Sequence, residues 1–165
     1  RKHAYRYAGA IEAGYLLDEM YVEAIADGSH LPAELLQLIY KVKGPRRVCL
    51  VTDSMCAAGM PDGEYSLGGV PCIKENGVAK LMDRSAFAGS VATTDMLVRT
   101  FCNLTGAPLY DVVRKTSLTP AEMLGIGTRT GSIQVGKAAD LLVFDEDVQL
   151  KHIVVAGRTE FSTLQ

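Results

Sequence analysis

The sequence is short of the features that mark membrane, nucleic-acid-binding and disulfide-stabilised proteins. No stretch approaches the roughly 18 apolar residues of a membrane span, and nothing resembles a signal peptide, so we expect a cytoplasmic protein. The formal net charge of −2 over 165 residues gives no electrostatic reason to expect nucleic acid or an anionic membrane as a partner. The four cysteines include no CxxC pair, which favours reduced, mostly buried thiols.

The sequence also lacks an initiator methionine, since it begins Arg-Lys-His and its first recognisable element starts in the middle of a pattern. We therefore expect a fragment of a longer chain. With 165 residues, 48% of them apolar, it is still long enough to build one hydrophobic core. A chain of this size buries roughly two-thirds of its unfolded surface.

The first half of the sequence has the pattern of a β-α-β unit. The apolar run 21–26 predicts a buried strand, the amphipathic stretch 32–44 between Pro and Gly predicts a helix, and the run 48–52 predicts a second buried strand. Two strands joined through a helix run parallel and are covered on both faces.

Polar residues follow both predicted strands. Asp27 and His30 come after the first strand, and Asp53 comes directly after the second. Because the strands are parallel, these residues are expected on one rim of the sheet, where α/β folds place their chemistry.

The rest of the sequence alternates between helical and strand patterns. Residues 60–84 predict a β excursion, with Asn76-Gly77 as a hairpin turn. The spacing over 90–105 predicts a helix. Apolar runs at 141–144 and 152–157 predict antiparallel strands apart from the α/β body, and therefore a small second β layer. A shorter helix is predicted to begin with Thr119 as its N-cap.

Three segments, in this order, resemble the N-acetylglucosamine-6-phosphate deacetylases of the amidohydrolase superfamily: ADGSH (26–30), LVTDSM (50–55) and FAGS (87–90). LTPAEMLGI and GSIQVGKAADLLVFD resemble the C-terminal segment of the superfamily, and the second of these alone would specify only the superfamily. The resemblance covers nearly the whole chain.

The resemblance implies an α/β fold that is the C-terminal part of a (β/α)8 TIM barrel of the amidohydrolase type, with a small β-sandwich layer. Residues 1–125 would be a partial barrel domain that carries catalysis, with a β-hairpin excursion around 63–84. Residues 126–165 would be the C-terminal strands of the sandwich. The first six barrel strands of the family are missing, and with them its main metal ligands, a glutamate and two histidines.

The implied activity is metal-dependent hydrolysis of the acetamide of N-acetylglucosamine 6-phosphate to glucosamine 6-phosphate and acetate. The resemblance implies a divalent metal of the zinc, iron, manganese or cobalt class in the full-length enzyme. With the main ligands absent, we expect the isolated chain to be inactive. The expected partner is a phosphorylated N-acetyl amino sugar, and the expected assembly is a homo-oligomer.

The resemblance also assigns roles to individual residues. Asp53 stands where the family has the carboxylate that takes a proton from water and delivers it to the leaving amine, and in some members this residue also contacts a metal. A plain structural alternative is that Asp53 caps the following turn. His30 corresponds to a substrate-contacting histidine, and Asp27 either orients His30 or closes its turn.

The remaining candidates would contact the sugar or its phosphate. The FAGS loop would meet the sugar through main-chain groups, and glycine suits close backbone approach to a ligand. The arginine that pairs with the phosphate aligns with Arg1, His3 or Arg6, and Arg1 is our candidate. The predicted substrate-binding residues are Arg1, Asp27, Gly28, Ser29, His30, Phe87, Ala88 and Gly89.

Two other interpretations stay open on sequence grounds. Another superfamily member, such as a dihydroorotase, hydantoinase or aminohydrolase, would share the strand-end aspartate, although ADGSH together with FAGS argues against it. The chain could also be a non-catalytic fragment that associates with a partner chain, because an incomplete barrel leaves strand edges and apolar faces open.

Overall fold

A computed structural model describes residues 8–164 of the chain. A helix and a strand alternate twice at the start, and three further strands, three helices and three final strands follow. The elements in chain order are α1 (Ala10–Leu16), β1 (Val22–Ala24), α2 (Ala33–Lys43), β2 (Val48–Leu50), β3 (Gly63–Leu67), β4 (Val70–Glu75), β5 (Val78–Leu81), α3 (Thr94–Thr105), α4 (Leu109–Thr116), α5 (Leu118–Met123), β6 (Leu141–Phe144), β7 (Leu150–Val155) and β8 (Arg158–Ser162).

The predicted β-α-β unit is confirmed. Strands β1 and β2 pair in parallel, with Val22 opposite Val48, and α2 connects them. Pro32 precedes the first turn of α2, where a backbone N–H is not needed. Gly44, with a φ of 61°, ends the helix in a conformation that favours glycine. The polar loops after β1 and β2 therefore leave the sheet at the same edge.

The main hydrophobic core lies between this sheet and helices α2, α3 and α4. Its largest fully buried apolar side chains are Phe101, Leu36, Leu97, Val48 and Val112. Full burial stabilises each such side chain by about 1.5–3 kcal/mol relative to exposure. All three residues of β2 are buried, Val48 and Leu50 in this core, and Asp53 follows β2 by three residues.

One charged residue lies inside this core. Lys115 of α4 is fully buried, and its Nζ lies 4.3 Å from the ring centroid of Tyr40 and 5.4 Å from that of Phe101. Burial lowers the pKa of Lys115 to about 8, because the interior disfavours the charged form. The two rings and the Asp111 carbonyl oxygen, 3.3 Å from Nζ, partly replace its lost hydration.

The predicted β excursion is a three-stranded antiparallel sheet of β3, β4 and β5. Asn76 and Gly77, with φ values of 52° and 76°, form the predicted hairpin turn. The sheet has a small core of its own, to which the segment after β2 contributes Met55 and Ala57. The excursion therefore packs directly against the chain that follows Asp53.

The C-terminal strands form a second antiparallel sheet, in the order β6-β7-β8, which confirms the predicted antiparallel pairing. The third strand, β8, was not predicted. The β6–β7 turn reaches the main core through Val148, which is 7% exposed and whose carbonyl accepts a hydrogen bond from Arg99 at 2.9 Å. The division at residue 125 stays a prediction.

Three local expectations need correction. Helix α1 was not predicted. Helix α3 begins at Thr94, not at residue 90, because Ser90 pairs instead with the loop after β2. Thr119 does not cap α5, which follows Ser117; the Thr119 side chain is buried and its hydroxyl donates to the Pro45 carbonyl at 2.9 Å.

Two further points concern the limits of the described range. Arg1, the candidate for phosphate binding, and the alternatives His3 and Arg6 lie outside residues 8–164, so their role stays a prediction. Within residues 8–164, no helix is both long and apolar enough to cross a membrane.

Candidate active site

The loop after β1 is organised around Asp27. Its Oδ1 accepts the backbone N–H groups of Ser29 and His30, both at 2.9 Å, and its Oδ2 lies 2.8 Å from Nδ1 of the His30 ring. Asp27 is 8% exposed. Burial raises the pKa of Asp27, but the hydrogen bonds from His30 and Ser29 outweigh that effect, so the pKa lies below its ordinary value. Asp27 both closes the turn and orients His30.

His30 links this loop to the FAGS segment. Its ring stacks at a tilt on the ring of Phe87, with the centroids 4.8 Å apart. Because Nδ1 faces the Asp27 carboxylate, Nε2 is the ring nitrogen left for another partner. The histidine is thus held from two sides, by a carboxylate and by an aromatic ring.

Asp53 follows β2 in an unusual backbone conformation. Its φ is 49°, in the left-handed region that few residues other than glycine and asparagine or aspartate adopt. The residue is exposed, and within residues 8–164 its carboxylate takes part in no hydrogen bond or ion pair. This does not favour the alternative in which the side chain caps the next turn. A free carboxylate at the rim of a parallel sheet is available to a substrate or an ion.

Gly89 brings the FAGS segment against Asp53. The φ of Gly89 is 70°, and a Cβ atom at this position would lie 3.3 Å from the carbonyl oxygen of Asp53. Gly89 therefore lies close to the backbone of the catalytic candidate, and its predicted close approach to a ligand stays a prediction. Gly28, with a φ of 81°, also needs glycine, for the turn that carries Asp27 and His30.

Ala88 has a structural position. Its N–H donates to the Ala79 carbonyl at 3.0 Å, and its side chain is 3% exposed in the core of the excursion sheet. Its main-chain donor is thus already paired and is not free for a sugar. Phe87, by contrast, is 44% exposed and Ser29 is exposed, so both side chains can meet a ligand.

The three motifs predicted to work together are brought together by these contacts. Asp27 holds His30, His30 stacks on Phe87, and Gly89, two residues further on, packs on Asp53. Sequence reasoning missed the contacts of Ser54 and Ser90, which lie inside two of the motifs. The motifs pointed to the neighbouring residues instead, and no spacing rule pairs Ser54 with Ala92, 38 residues further along the chain.

A cavity of about 420 Å³ lies elsewhere, at the end of β2 opposite to Asp53. Two of the polar side chains that line it have partners: Asp111 accepts the Tyr40 hydroxyl at 2.6 Å, and Arg114 binds Glu122 through its Nη2 at 2.7 Å, although the Nε of Arg114 is buried without a partner among the described residues. The cavity therefore has no evident connection with the predicted chemistry.

The described residues include few side chains that could bind a metal ion together. Within residues 8–164, no group of three histidine, cysteine, aspartate or glutamate side chains could hold a metal ion. Asp53 offers one carboxylate, and Asp27 and His30 bind each other. These residues do not form a complete metal centre.

The family assignment comes from comparison with known sequences. The sequence profile of the amidohydrolase family matches residues 5–160. The chain belongs to the amidohydrolase family. This agrees with the predicted resemblance and with a free carboxylate at the carboxyl end of a parallel strand.

Several curated proteins and solved structures are similar to this amidohydrolase chain. N-acetylglucosamine-6-phosphate deacetylase of Vibrio furnissii is 34% identical over 157 residues, which are 95% of this chain and 39% of the relative. A protein of Escherichia coli K12 named putative N-acetylgalactosamine-6-phosphate deacetylase is 35% identical over 155 residues, 93% of this chain and 91% of the relative.

One such solved structure is that of N-acetylglucosamine-6-phosphate deacetylase from Thermotoga maritima. It matches with a TM-score of 0.91 at 34% identity, over 99% of this chain and 44% of that one. The amidohydrolase chain therefore spans about two-fifths of the length of the V. furnissii relative and of this structure. The predicted resemblance to the deacetylases is confirmed.

Proposed function

We propose that this chain supplies the catalytic carboxylate and a substrate-binding histidine to a deacetylase of N-acetyl amino-sugar 6-phosphates. The observation that supports this most strongly is the convergence of Asp53, His30 and Phe87 through the contacts of Asp27 and Gly89. The relatives are deacetylases of this kind, and the three converging segments carry the resemblance to them.

Amide hydrolysis needs a base for the attacking water and an acid for the leaving amine. Asp53 is suited to both steps, since its carboxylate is exposed and unpaired within residues 8–164. It takes the proton of the water as the acetamide carbonyl is attacked, and then delivers it to the nitrogen as the C–N bond breaks. Acetate and the free amino sugar result.

His30 and its neighbours hold the substrate. With Nδ1 bonded to Asp27, Nε2 of His30 is available to hydrogen-bond an oxygen of the substrate. Phe87 presents a half-exposed ring beside it, which suits the apolar face of a sugar. Gly28, Ser29 and the rest of the two loops complete this wall, and Arg1 is the candidate partner of the phosphate.

A divalent metal of the zinc, iron, manganese or cobalt class belongs to the proposed reaction through the family. Residues 8–164 offer too few ligands to hold it by themselves, so its main ligands would lie on the part of the relatives that this chain does not span. Asp53 would contribute at most one ligand. We therefore derive no step of the reaction through a metal.

The finer architecture follows from the same proposal. Strands β1 and β2 with helices α2 and α3 would be the end of a (β/α)8 barrel, and β6, β7 and β8 would be part of a small β-sandwich. Residues 1–125 and 126–165 would divide accordingly. We further propose that the complete enzyme is a cytoplasmic homo-oligomer.

A graft tests the proposed function. We would measure acetate release by the chain alone, and by the V. furnissii deacetylase in which this chain replaces the matched segment. We expect no release from the chain alone and release from the graft.

Asp53→Asn should lower the rate of the graft by about 10²–10⁴-fold. Asp147 is an exposed aspartate in a turn, and Asp147→Asn should leave the rate within about twofold. A folded but inactive graft, or an active Asp53→Asn graft, would refute the proposal.

The identity of the sugar is the second question for the same assay. The E. coli relative is named for the galactosamine epimer, at 35% identity against 34% for the V. furnissii relative. N-acetylgalactosamine 6-phosphate is therefore a second candidate substrate. The ratio of kcat/KM values of the graft for the two epimers, compared with that of the unmodified V. furnissii enzyme, decides what this chain contributes to the preference.

A further inference from the structure

We propose that Ser54 is a positioning residue: it binds the loop after β2 to the FAGS segment and so holds Asp53 in its left-handed backbone conformation. The inference rests on the proposed function for the role of the Asp53 carboxylate. We call Ser54, Ser90 and Ala92, together with the neighbouring Gly89, the clasp. Its definition depends only on the contacts among these residues and Asp53.

The conformation of Asp53 has to be held by its surroundings. A φ of 49° is costly for a residue with a side chain, and such residues persist where the neighbouring structure fixes them. Two backbone hydrogen bonds do so here. The Ser90 N–H donates to the Asp53 carbonyl at 3.0 Å, and the Met55 N–H donates to the Ser90 carbonyl at 2.9 Å. Ser54 lies between these two bonds, opposite Ser90.

The side chains of the two serines add a second layer of hydrogen bonds. The Ser54 hydroxyl donates to the Ala92 carbonyl, and the Ala92 N–H donates to the Ser90 hydroxyl at 2.9 Å. Ser90 and Ala92 are 2% and 3% exposed. Ser54 itself is exposed, but the Ala92 carbonyl belongs to a buried residue, so losing the Ser54 hydroxyl leaves that carbonyl without this donor, which is costly.

Gly89 shows how little room the arrangement leaves. A Cβ atom there would lie 3.3 Å from the Asp53 carbonyl and 3.5 Å from the Met55 side chain, and the φ of 70° disfavours any residue other than glycine. A methyl group at residue 89 would therefore press on the same peptide that the clasp holds. Gly89→Ala and Ser54→Ala loosen the clasp by independent means.

Ser54 acts through Asp53 and is not itself assigned to the chemistry. Its hydroxyl is engaged with Ala92, whereas the Asp53 carboxylate has no partner within the described residues. A carboxylate that swings with its peptide samples unproductive positions. Small displacements of a reacting group are enough to slow catalysis considerably.

Amide hydrogen exchange tests the clasp directly in the 165-residue chain. For Ser54→Ala we expect exchange at the Ser90 and Met55 amides to rise by about fivefold, with the amides of α2 and α3 unchanged. Ser54→Thr keeps a hydroxyl and should restore the original rates. Ser66→Ala, an exposed serine in the excursion sheet, is the matched control and should change none of them.

Two results would overturn the clasp. One is unchanged exchange at the Ser90 and Met55 amides in Ser54→Ala. The other is a rise spread evenly over β2 and α3, which would make Ser54 an ordinary stabilising residue. Gly89→Ala provides the second variant should Ser54→Ala fail to fold.

The kinetic arm uses the active graft. Ser54→Ala should lower kcat by roughly tenfold with KM within about twofold, and Ser54→Thr should recover most of it. If Asp53→Asn is inactive while Ser54→Ala keeps full kcat and normal exchange, only the positioning role fails. If Asp53→Asn stays active, the proposed function fails, and the exchange result still decides the clasp.

Discussion

The α/β body and the C-terminal sheet place their apolar residues in opposite ways. In the body, Phe101, Leu97 and Val112 are completely buried. Near and in the C-terminal sheet, Ile133 is 90% exposed and Phe161 44% exposed. Side-chain packing in its own core therefore stabilises the α/β body. The loops of the candidate site follow strands that belong to this core. The C-terminal sheet is held mainly by strand pairing and by contacts of the β6–β7 turn.

The largest expected difference compares one phenylalanine from each region. Phe101→Ala should lower the free energy of unfolding by about 3–5 kcal/mol, because it removes a fully buried ring and leaves a cavity. Phe161→Ala should cost less than about 1 kcal/mol, because the ring is already 44% exposed. Denaturant unfolding of both variants measures the contrast, and equal losses would contradict it.

A second prediction concerns the buried charge of the body. The folded pKa of Lys115 is about 8, below the ordinary 10.5, so between these values the unfolded chain binds more protons than the folded one. The free energy of unfolding should therefore rise as the pH increases through this window. Lys115→Met should remove this rise, which we expect to be of the order of 2 kcal/mol.

Unfolding at pH 7, 8, 9 and 10 measures that contribution. Lys41→Met, at an exposed lysine of α2, is the control and should keep the pH dependence of the original chain. If Lys115→Met retained the same rise, the buried amine would not be its source.

The third prediction concerns Asp27, in the loop after β1, and compares the stability of this loop with that of the hydrophobic core. Asp27→Ala removes the acceptor of two backbone N–H groups and of the His30 ring and should cost about 1–2 kcal/mol. Asp27→Asn can still accept the two N–H groups and should lose less. The folded chain lowers the pKa of Asp27 below its ordinary value of 3.8. The stability that the Asp27 carboxylate contributes is therefore fully present at a pH above 3.8 and is lost as the pH falls below 3.8.

The measurement is unfolding of these variants and the original chain at pH 7 and near pH 3. The gap between the original chain and Asp27→Asn should narrow at the lower pH. A gap that stays constant would show that the negative charge of the Asp27 carboxylate contributes nothing to stability.

The smallest expected effect lies in the excursion sheet, which is outside the main core. Gly77→Ala should cost about 1 kcal/mol, because its φ of 76° strains any residue with a Cβ atom. Nothing lies within 4 Å of that Cβ, so the cost is that of the backbone alone. Asn76→Gly in the same turn should change the free energy of unfolding by less than about 0.5 kcal/mol, which thermal unfolding can check.

Local pattern was enough to predict much of the fold. The parallel pair of β1 and β2, helix α2 between Pro32 and Gly44, and the hairpin at Asn76-Gly77 all follow from short-range rules on periodicity and turn chemistry. Helix α1 and strand β8 were missed, since α1 is short with Gly14 as its buried residue and every residue of β8 is exposed. The sequence signals of α1 and β8 are weak because a periodic pattern of apolar residues arises where one face of an element is buried.

For the site, motifs could name residues but could not say what each one touches. Asp27, His30 and Asp53 were identified from their places after strands and from the resemblance. Ala88 was predicted to offer its main chain to a sugar; its N–H donates to the Ala79 carbonyl of the excursion sheet, so this prediction now concerns its carbonyl alone. Pairing between segments distant in the chain decides such cases, and a motif does not contain that information.

The sequence by itself determined the family, the order of the elements and the carboxylate at the end of β2, because these depend on residues adjacent in the chain. Only the tertiary structure decided that the backbone of Asp53 is left-handed and that Ser54 and Gly89 hold it there. The hydrogen bond from Ser54 to Ala92, 38 residues further along the chain, forms only once the sheet and the excursion have packed and brought the two loops together.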